Sequence, residues 1–194
     1  MRNDELVNSL FFEVCTNSSM KAYEALYKML YDRLVHFTAA IAGSFQLGEE
    51  IVSDVFVALW QKRQQLTSVK NPGVYIYVCA RNASLNALQQ RKVQNISFEN
   101  LDVDALAIIP DIEERLISRD VALIIEKEIR ALPEKCQLVF RLVKIDGFTY
   151  KEAAELLGIS SKTVDAQLAI AIKKITLAVK LHIPAHLFHH FLKS

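Results

Sequence analysis

The apolar residues in the first third of the chain recur at the spacing of an α-helix. Two sets of residues each share one helix face, mostly three or four positions apart. The first set consists of Tyr23, Leu26, Tyr27, Leu30, Leu34 and Phe37. The second set consists of Ile51, Val52, Val55, Phe56, Leu59 and Trp60. These patterns predict two amphipathic helices, the second over about residues 49–62.

A third helical pattern follows a break at residues 71–73, where the sequence Asn-Pro-Gly favours a turn. Its apolar stripe consists of Val74, Val78, Leu85 and Leu88. The pattern ends near residues 91–92. Nowhere does the sequence alternate apolar and polar residues convincingly, as a half-buried strand does. The predicted fold class is therefore all-α.

The second half of the chain begins with two more predicted helices. One spans about residues 113–131. The next starts around Pro133, because proline is tolerated in the first turn of a helix, and it runs to about Ile145. Gly147 can then adopt the left-handed conformation that ends a helix.

Two further helices follow, joined by a short turn that has the features of a helix-turn-helix. Thr149 and Glu152 have the spacing of a capping box at the start of the first helix, which ends at Gly158. Ser160 is placed to cap the second helix, which is predicted over about residues 161–181. Both helices and the turn between them are thus specified locally.

The second of these helices has an inward and an outward face. The inward face consists of Val164, Leu168, Ala171 and Ile175. The outward face, free to enter a DNA major groove, consists of Lys162, Ala166, Ala169 and Lys173. The small Ala154 permits a close helix crossing, and Ile159 is expected to fill the core under the turn. A plain three-helix bundle remains the alternative to a DNA-binding motif.

The distribution of charge is more informative than its total. The formal net charge of +1 excludes a uniformly basic nucleic-acid coat, although it permits a basic patch. Residues 18–92 and 114–180 each carry more basic than acidic side chains. Residues 93–113 carry no base and five acids, namely Glu99, Asp102, Asp104, Asp111 and Glu113. We therefore predict two small helical domains, residues 1–92 and 114–194, joined by an acidic linker.

The cysteines and the apolar runs exclude other classes of protein. Cys15, Cys79 and Cys136 lack the CxxC spacing of a zinc site, and their odd number argues against a disulfide framework. Buried reduced thiols in a cytoplasmic protein are the preferred interpretation. The N-terminus lacks a signal-peptide pattern, and the longest charge-free run, residues 34–48, is too short and polar to span a bilayer. No membrane insertion is expected.

Two groups of polar residues in the first half could bind partners. Glu50, Asp54 and Gln61 align on one side of their helix, either as a docking ridge or as a merely solvated face. The segment that follows mixes basic, aromatic and amide side chains, which suit unpaired bases and phosphates. It offers Lys62, Arg63, Lys70, Tyr75, Arg81, Asn82, Asn86, Arg91 and Lys92. Arg81 could instead be a half-buried structural residue.

In the motifs described above, the chain resembles the extracytoplasmic-function sigma factors. These are the two-domain members of the sigma-70 family of bacterial transcription initiation factors. The family's polymerase-binding helix is similar to residues 49–66, EEIVSDVFVALWQKRQQL. Its helix that melts and reads the −10 promoter element is similar to residues 71–92, NPGVYIYVCARNASLNALQQRK. Its −35-reading domain is similar to residues 132–175. The resemblance covers about residues 18–180.

The resemblance implies a role for each group of residues. Core RNA polymerase would be contacted by Glu50, Asp54 and Gln61. The −10 element would be contacted by Lys62, Arg63, Lys70, Tyr75, Asn82, Asn86, Arg91 and Lys92. The −35 element would be contacted by Ser161, Lys162, Thr163, Ala166, Gln167, Lys173 and Lys174. It also implies control by an anti-sigma factor that covers both domains, and no cofactor.

Some features depart from the family or lie outside the resemblance. Ser53 stands where the family often has glutamine, and Ala169 and Ile170 replace a commonly basic stretch. In the tail, residues 181–194, four histidines at helical spacing could bind a metal, namely His182, His186, His189 and His190. We expect instead an apolar terminal helix that packs on the second domain or on a regulator. The sequence contains no P-loop, GxSxG or HExxH motif, so no enzyme is predicted. A stand-alone helix-turn-helix regulator is the alternative function.

Overall fold

The computed structural model describes residues 3–94 and 119–182. Every regular element within these two ranges is a helix, which confirms the predicted all-α class. Residue contacts divide the chain into two units, Met1–Ala105 and Leu106–Ser194. Most of the predicted acidic linker, and the histidines of the tail after His182, lie outside the described residues.

Within its described residues, the first unit consists of four α-helices. They are α1 (Asn3–Asn17), α2 (Met20–Ala42), α3 (Phe45–Lys62) and α4 (Pro72–Gln94). A 3₁₀ turn over Arg63–Gln65 follows α3. Helices α2 and α4 each pack against the other three helices, and the most extensive contact is between α2 and α3.

Helix α1 is absent from the helices predicted from the sequence. Its buried positions Val7, Phe11 and Val14 have helical spacing, but the pattern is too short to stand out beside the longer stripes. Helix α3 begins at Phe45, four residues before the predicted start, because the Ser44 hydroxyl accepts a hydrogen bond from the Leu47 N–H at 3.4 Å.

The predicted apolar stripe of α4 is not the side that the helix buries most deeply, because Val74, Leu85 and Leu88 are only half-buried. The buried residues of α4 are Pro72, Ile76, Tyr77, Ala80 and Ser84. Val78, predicted to be buried, is 37% exposed. The reason is that α4 packs against α1, α2 and α3, so the side facing these helices is chosen by the packing. Ile76 and Tyr77, together with the small residues Ala80 and Ser84, line that side, and the expected aliphatic stripe lies beside it.

Within its described residues, the second unit also consists of four α-helices. They are α5 (Arg119–Arg130), α6 (Glu134–Phe140), α7 (Tyr150–Leu157) and α8 (Ser161–His182). A π-helical turn over Arg141–Ile145 continues α6, so the predicted end near residue 145 is confirmed. Gly147 has the predicted left-handed conformation, with φ of 82°. The predicted start of α5 near residue 113 lies outside the described residues.

The core of the second unit joins α5 and α6 to α8. Its buried members are Ile129, Leu132, Cys136, Ala171 and Ile175. Beside it, the Arg141 guanidinium donates to Glu126 Oε1 at 2.7 Å, and both side chains are largely buried. Arg130 donates to the same carboxylate oxygen at 3.3 Å. This charged cluster holds the π-helical turn against α5.

The cysteines of the structure are free thiols. Cys15 and Cys136 are buried, as predicted, whereas Cys79 is only half-buried. Burial raises the pKa of the Cys15 and Cys79 thiols. Both side chains are therefore less nucleophilic at neutral pH than an exposed thiol.

The contact between α2 and α3 includes a tyrosine whose ionisation is suppressed. The Tyr31 hydroxyl donates to Glu49 Oε1 at 3.3 Å. Burial, together with the Glu49 carboxylate, raises the pKa of Tyr31 from 10.0 to about 12. The folded state therefore favours the neutral phenol of Tyr31. The stability that this neutral side chain contributes is lost as the pH rises from about 10 to about 12.

We accordingly expect Tyr31→Phe to flatten the alkaline fall in stability. The free energy of unfolding of the wild type should decrease between about pH 10 and pH 12, while that of Tyr31→Phe should decrease less over the same window. Urea denaturation at a series of pH values measures both slopes. Equal slopes for the two proteins would contradict the assigned environment of Tyr31.

Candidate nucleic-acid interface

The turn between α7 and α8 is built as the sequence predicts. The Thr149 hydroxyl accepts from the Glu152 N–H at 3.2 Å, and the Thr149 N–H donates to Glu152 Oε2 at 2.9 Å, which completes the capping box. Gly158 ends α7 with φ of 68°. The Ser160 hydroxyl then accepts from the Thr163 N–H at 3.1 Å and so caps α8. Helices α7 and α8 therefore form a helix-turn-helix.

The inward face of α8 is confirmed by burial. Val164, Leu168, Ala171 and Ile175 are all buried. Ala154 of α7 is buried as well, as its small side chain predicts. Ile159, expected to fill the core under the turn, is instead 37% exposed. The reason is that Ile159 follows the left-handed Gly158 and uses its N–H to bond the Ala154 carbonyl at 3.0 Å, while Leu156 fills the core.

The outward face of α8 is also as predicted. Its exposed members are Ser161, Lys162, Thr163, Ala166, Ala169, Lys173 and Lys174. Gln167, which the family resemblance assigns to a DNA contact, is instead half-buried. Its Oε1 accepts a hydrogen bond from Cys136 Sγ at 2.8 Å. Six of the seven residues assigned to the −35 element thus lie in solvent, and Gln167 is partly used within the unit.

Helix α3 carries a ridge of exposed side chains opposite its buried stripe. Glu50, Asp54 and Gln61 are all exposed. Val57, which polarity alone did not single out, is 51% exposed. These four residues lie within about 60° of one another at 100° per residue. The ridge is therefore acidic with an apolar residue near its middle, and the spacing of Val57 from Asp54 and Gln61 is the signal that could have found it.

The residues after α3 divide into solvent-facing and structural positions. Lys62 and Lys70 are exposed. Arg63 is half-buried and stacks on Trp60, with its guanidinium carbon 4.2 Å from the ring centroid. It also donates to the Ser18 hydroxyl at 2.9 Å and to the Trp60 carbonyl at 2.6 Å. Arg63 therefore ties the start of the loop to the turn between α1 and α2.

Helix α4 presents amides to solvent. Asn82 and Asn86 are exposed, whereas Arg81 is half-buried. Tyr75 is half-buried and meets the Phe11 ring edge-to-face at a centroid distance of 6.3 Å. Burial raises the pKa of Tyr75, with a further contribution from Cys79. The backbone of Arg91 and Lys92 lies in α4, and their side chains lie outside the described residues.

Within residues 3–94 and 119–182, no cluster of three or more His, Cys, Asp or Glu residues could hold a metal ion. The histidines at positions 186, 189 and 190 lie outside those ranges. No helix in the same part of the chain is both long and apolar enough to cross a membrane.

Two family models match the chain, one over most of the first unit's helices and one over the helices of the second unit. The model for sigma-70 region 2 matches residues 26–93, and the model for sigma-70 region 4 matches residues 122–175. The chain belongs to the sigma-70 family of RNA polymerase sigma factors. Region 2 thus includes most of α2, all of α3 and the residues of α4 that were predicted to contact the −10 element. Region 4 includes the helix-turn-helix.

Relatives of this sigma factor extend over most of its length. It is 22% identical over 159 residues to the ferric citrate uptake sigma factor FecI of Escherichia coli, covering 81% of this chain and 91% of FecI. It is 26% identical over 131 residues to the sigma factor NccH of Alcaligenes xylosoxydans, covering 66% of this chain and 70% of NccH. These matches confirm the predicted extracytoplasmic-function type.

Two solved structures share the fold of this sigma factor. One is the sigma factor RpoE in complex with the anti-sigma factor NepR from Bartonella quintana, with a TM-score of 0.58, 19% identity and coverage of 83% of this chain and 98% of that one. The other is CnrH in complex with the cytosolic domain of CnrY, with a TM-score of 0.51, 14% identity and coverage of 92% and 97%. At these identities the similarity establishes the fold.

Proposed function

We propose that this sigma factor directs promoter-specific transcription initiation by joining core RNA polymerase, melting the −10 element and reading the −35 element. The observation that carries the proposal is that regions 2 and 4 occur on one chain, each with an exposed surface suited to its partner. Residues 1–92 would form the polymerase and −10 domain, residues 93–113 the acidic linker, and residues 114–194 the −35 domain.

The ridge on α3 is the proposed polymerase contact. Protein interfaces combine a buried apolar or aromatic centre with a polar rim. Val57 can supply the apolar centre, and Glu50, Asp54 and Gln61 can pair with basic or polar groups around it. The buried stripe on the other side of α3 fixes the direction of all four side chains, so the ridge is presented on a rigid helix.

The −10 element is proposed to lie along the loop after α3 and along α4. Lys62 and Lys70 can contact phosphates, and Asn82 and Asn86 can bond to the edges of unpaired bases. A base captured in the loop must first leave the duplex, which costs a few kcal/mol. Arg63 would act as a brace for that loop, since its guanidinium already holds Trp60 and Ser18.

The sigma factor would act through binding and not through catalysis, as a regulatory subunit of the polymerase in the cytoplasm. RpoE and CnrH are seen with NepR and with the cytosolic domain of CnrY, respectively. By analogy, we propose that an anti-sigma factor controls this chain. A stand-alone regulator needs only the helix-turn-helix and gives no role to region 2, so it is the weaker explanation.

The polymerase contact is tested by reversing a charge on the ridge. We expect Asp54→Arg to weaken binding to core RNA polymerase by more than about tenfold, because losing one member of a buried interfacial charge pair costs about 2–5 kcal/mol. Asp54 is exposed, so the variant should fold. Pull-down of core polymerase at a series of sigma concentrations measures the affinity.

The matched control is Glu13→Arg, which makes the same change of charge at an exposed position of α1. It should bind core polymerase like the wild type. Equal binding by Asp54→Arg and the wild type would remove α3 from the interface, and a loss with both variants would indicate that only the net charge matters.

A further inference from the structure

The middle of the outward face of α8 is apolar. Ala166 and Ile170 lie about 40° apart around the helix axis, on the side opposite the buried Val164 and Leu168. Ile170 is 44% exposed. Ile170 lies on the flank of this face, about 70° from its centre line, and an aliphatic side chain there gains from a partner that offers apolar contact, which phosphates and most base edges do not.

Lysines stand at both ends of this apolar centre. Lys162 precedes Ala166 by about one turn, Lys173 follows Ile170 by nearly one turn, and both lysines are exposed. They are separated by about 16 Å along the axis, so long lysine side chains can reach phosphates on either side of a major groove about 12 Å wide. The charge of this face is therefore complementary to duplex DNA.

The same centre lacks the side chains that read the other bases. Guanine is read by arginine or lysine and adenine by asparagine or glutamine, and positions 166, 169 and 170 carry none of these. Gln167 lies to one side, half-buried, with its Oε1 occupied by Cys136 Sγ. Thymine is the base that presents an apolar group, its C5-methyl, in the major groove.

We propose that Ala166 and Ile170 read thymine methyl groups, so that the promoter element bound by α8 carries thymines one or two base steps apart. The spacing follows from the helix, since four residues span about 6 Å, which is at most about two base steps of about 3.4 Å and is less when the helix lies along the inclined groove. Lys162 and Lys173 position the helix by phosphate contacts, and the methyl contacts select the sequence. The inference rests on the proposed function and names the sequence class that region 4 recognises.

The test uses the full chain with core RNA polymerase. A promoter is first found by run-off transcription from genomic fragments, and its upstream element is then randomised. Sequencing the templates that initiate should show thymine enriched at two positions one or two steps apart. Replacing either thymine by deoxyuridine removes only the methyl group, and it should lower initiation about fourfold, the equivalent of about 0.8 kcal/mol for one buried methyl.

Two isoleucines of α8 provide a matched pair of variants. Ile170→Ala should lower initiation and abolish the effect of deoxyuridine at one of the two positions. Ile172→Ala removes a side chain that is similarly exposed, at 41%, but points about 160° away from Ile170. It should keep the full sensitivity to deoxyuridine.

The outcomes separate this inference from the proposed function. Initiation from elements without thymine enrichment, or equal initiation from thymine and deoxyuridine templates, would overturn the methyl reading and leave the sigma function intact. If Ile170→Ala remains sensitive to deoxyuridine at both positions, Ile170 does not read either thymine methyl group. No polymerase-dependent initiation from any template would overturn the proposed function, and this inference with it.

Discussion

Leu168→Ala is expected to lower the free energy of unfolding of the second unit by about 2–5 kcal/mol. Leu168 is 2% exposed on the inward face of α8, and a buried leucine replaced by alanine leaves a cavity that its neighbours refill only in part. Because this loss is a large fraction of the stability of a small domain, specific binding to a −35 element should fall with it.

Urea denaturation with two probes locates the effect. Trp60 is the single tryptophan and lies in the first unit, so its fluorescence reports on that unit, whereas circular dichroism reports on the helices of both. Leu168→Ala should shift part of the dichroism transition and leave the fluorescence transition in place. Leu177→Ala, at a position that is 61% exposed, should change neither by more than about 0.5 kcal/mol. A fluorescence shift caused by Leu168→Ala would contradict independent unfolding.

Gly48→Val is expected to destabilise the first unit by about 3 kcal/mol. Helices α2 and α3 cross closely at Gly48, where an added Cβ would lie 3.0 Å from the Ala39 nitrogen, the Thr38 hydroxyl and the Val35 carbonyl oxygen. Two of these atoms belong to the backbone of α2 and cannot move without displacing the helix. The Thr38 hydroxyl donates within α2 to the Leu34 carbonyl at 2.8 Å and also lies 3.1 Å from the Gly48 carbonyl oxygen, so a side chain at Gly48 would disturb this polar contact as well.

Trp60 fluorescence during urea denaturation measures this change directly, because Trp60 and Gly48 share α3. Gly73→Ala is the control, since an added Cβ there meets only the Asn71 Oδ1 atom at 3.8 Å, an ordinary contact distance. That variant should match the wild type or gain up to about 1 kcal/mol. If Gly48→Val unfolds at the same urea concentration as the wild type, the helices do not cross as closely as described.

The second unit could be predicted in detail because its signals are local. The capping box of Thr149 and Glu152, the left-handed Gly158 and the stripe on α8 each depend on residues close in sequence. Ile159 was misplaced because the turn geometry, and not its hydrophobicity, decides where its side chain points. The alternative of a plain three-helix bundle is excluded as a complete account by the region 4 match.

The first unit was harder to predict because its packing is not local. The face that α4 buries depends on contacts with three other helices, which no single-helix pattern contains. The sequence predicts Arg63 as a −10 contact, but its hydrogen bond to Ser18, 45 residues away, is a tertiary contact, whereas its stacking on Trp60 is local. Val57 is not predicted as part of the ridge, because an apolar residue on an exposed helix face carries no polar signal of docking. The roles of the individual site residues stay predictions.

Run-off transcription tests the central claim most directly. The purified chain, as wild type or Asp54→Arg, is added to core RNA polymerase from the same organism with genomic fragments as templates. The sigma assignment predicts discrete new start sites that require the chain and are lost with Asp54→Arg. No polymerase-dependent initiation, together with tight and specific duplex binding by the chain alone, would contradict it and leave a stand-alone helix-turn-helix regulator.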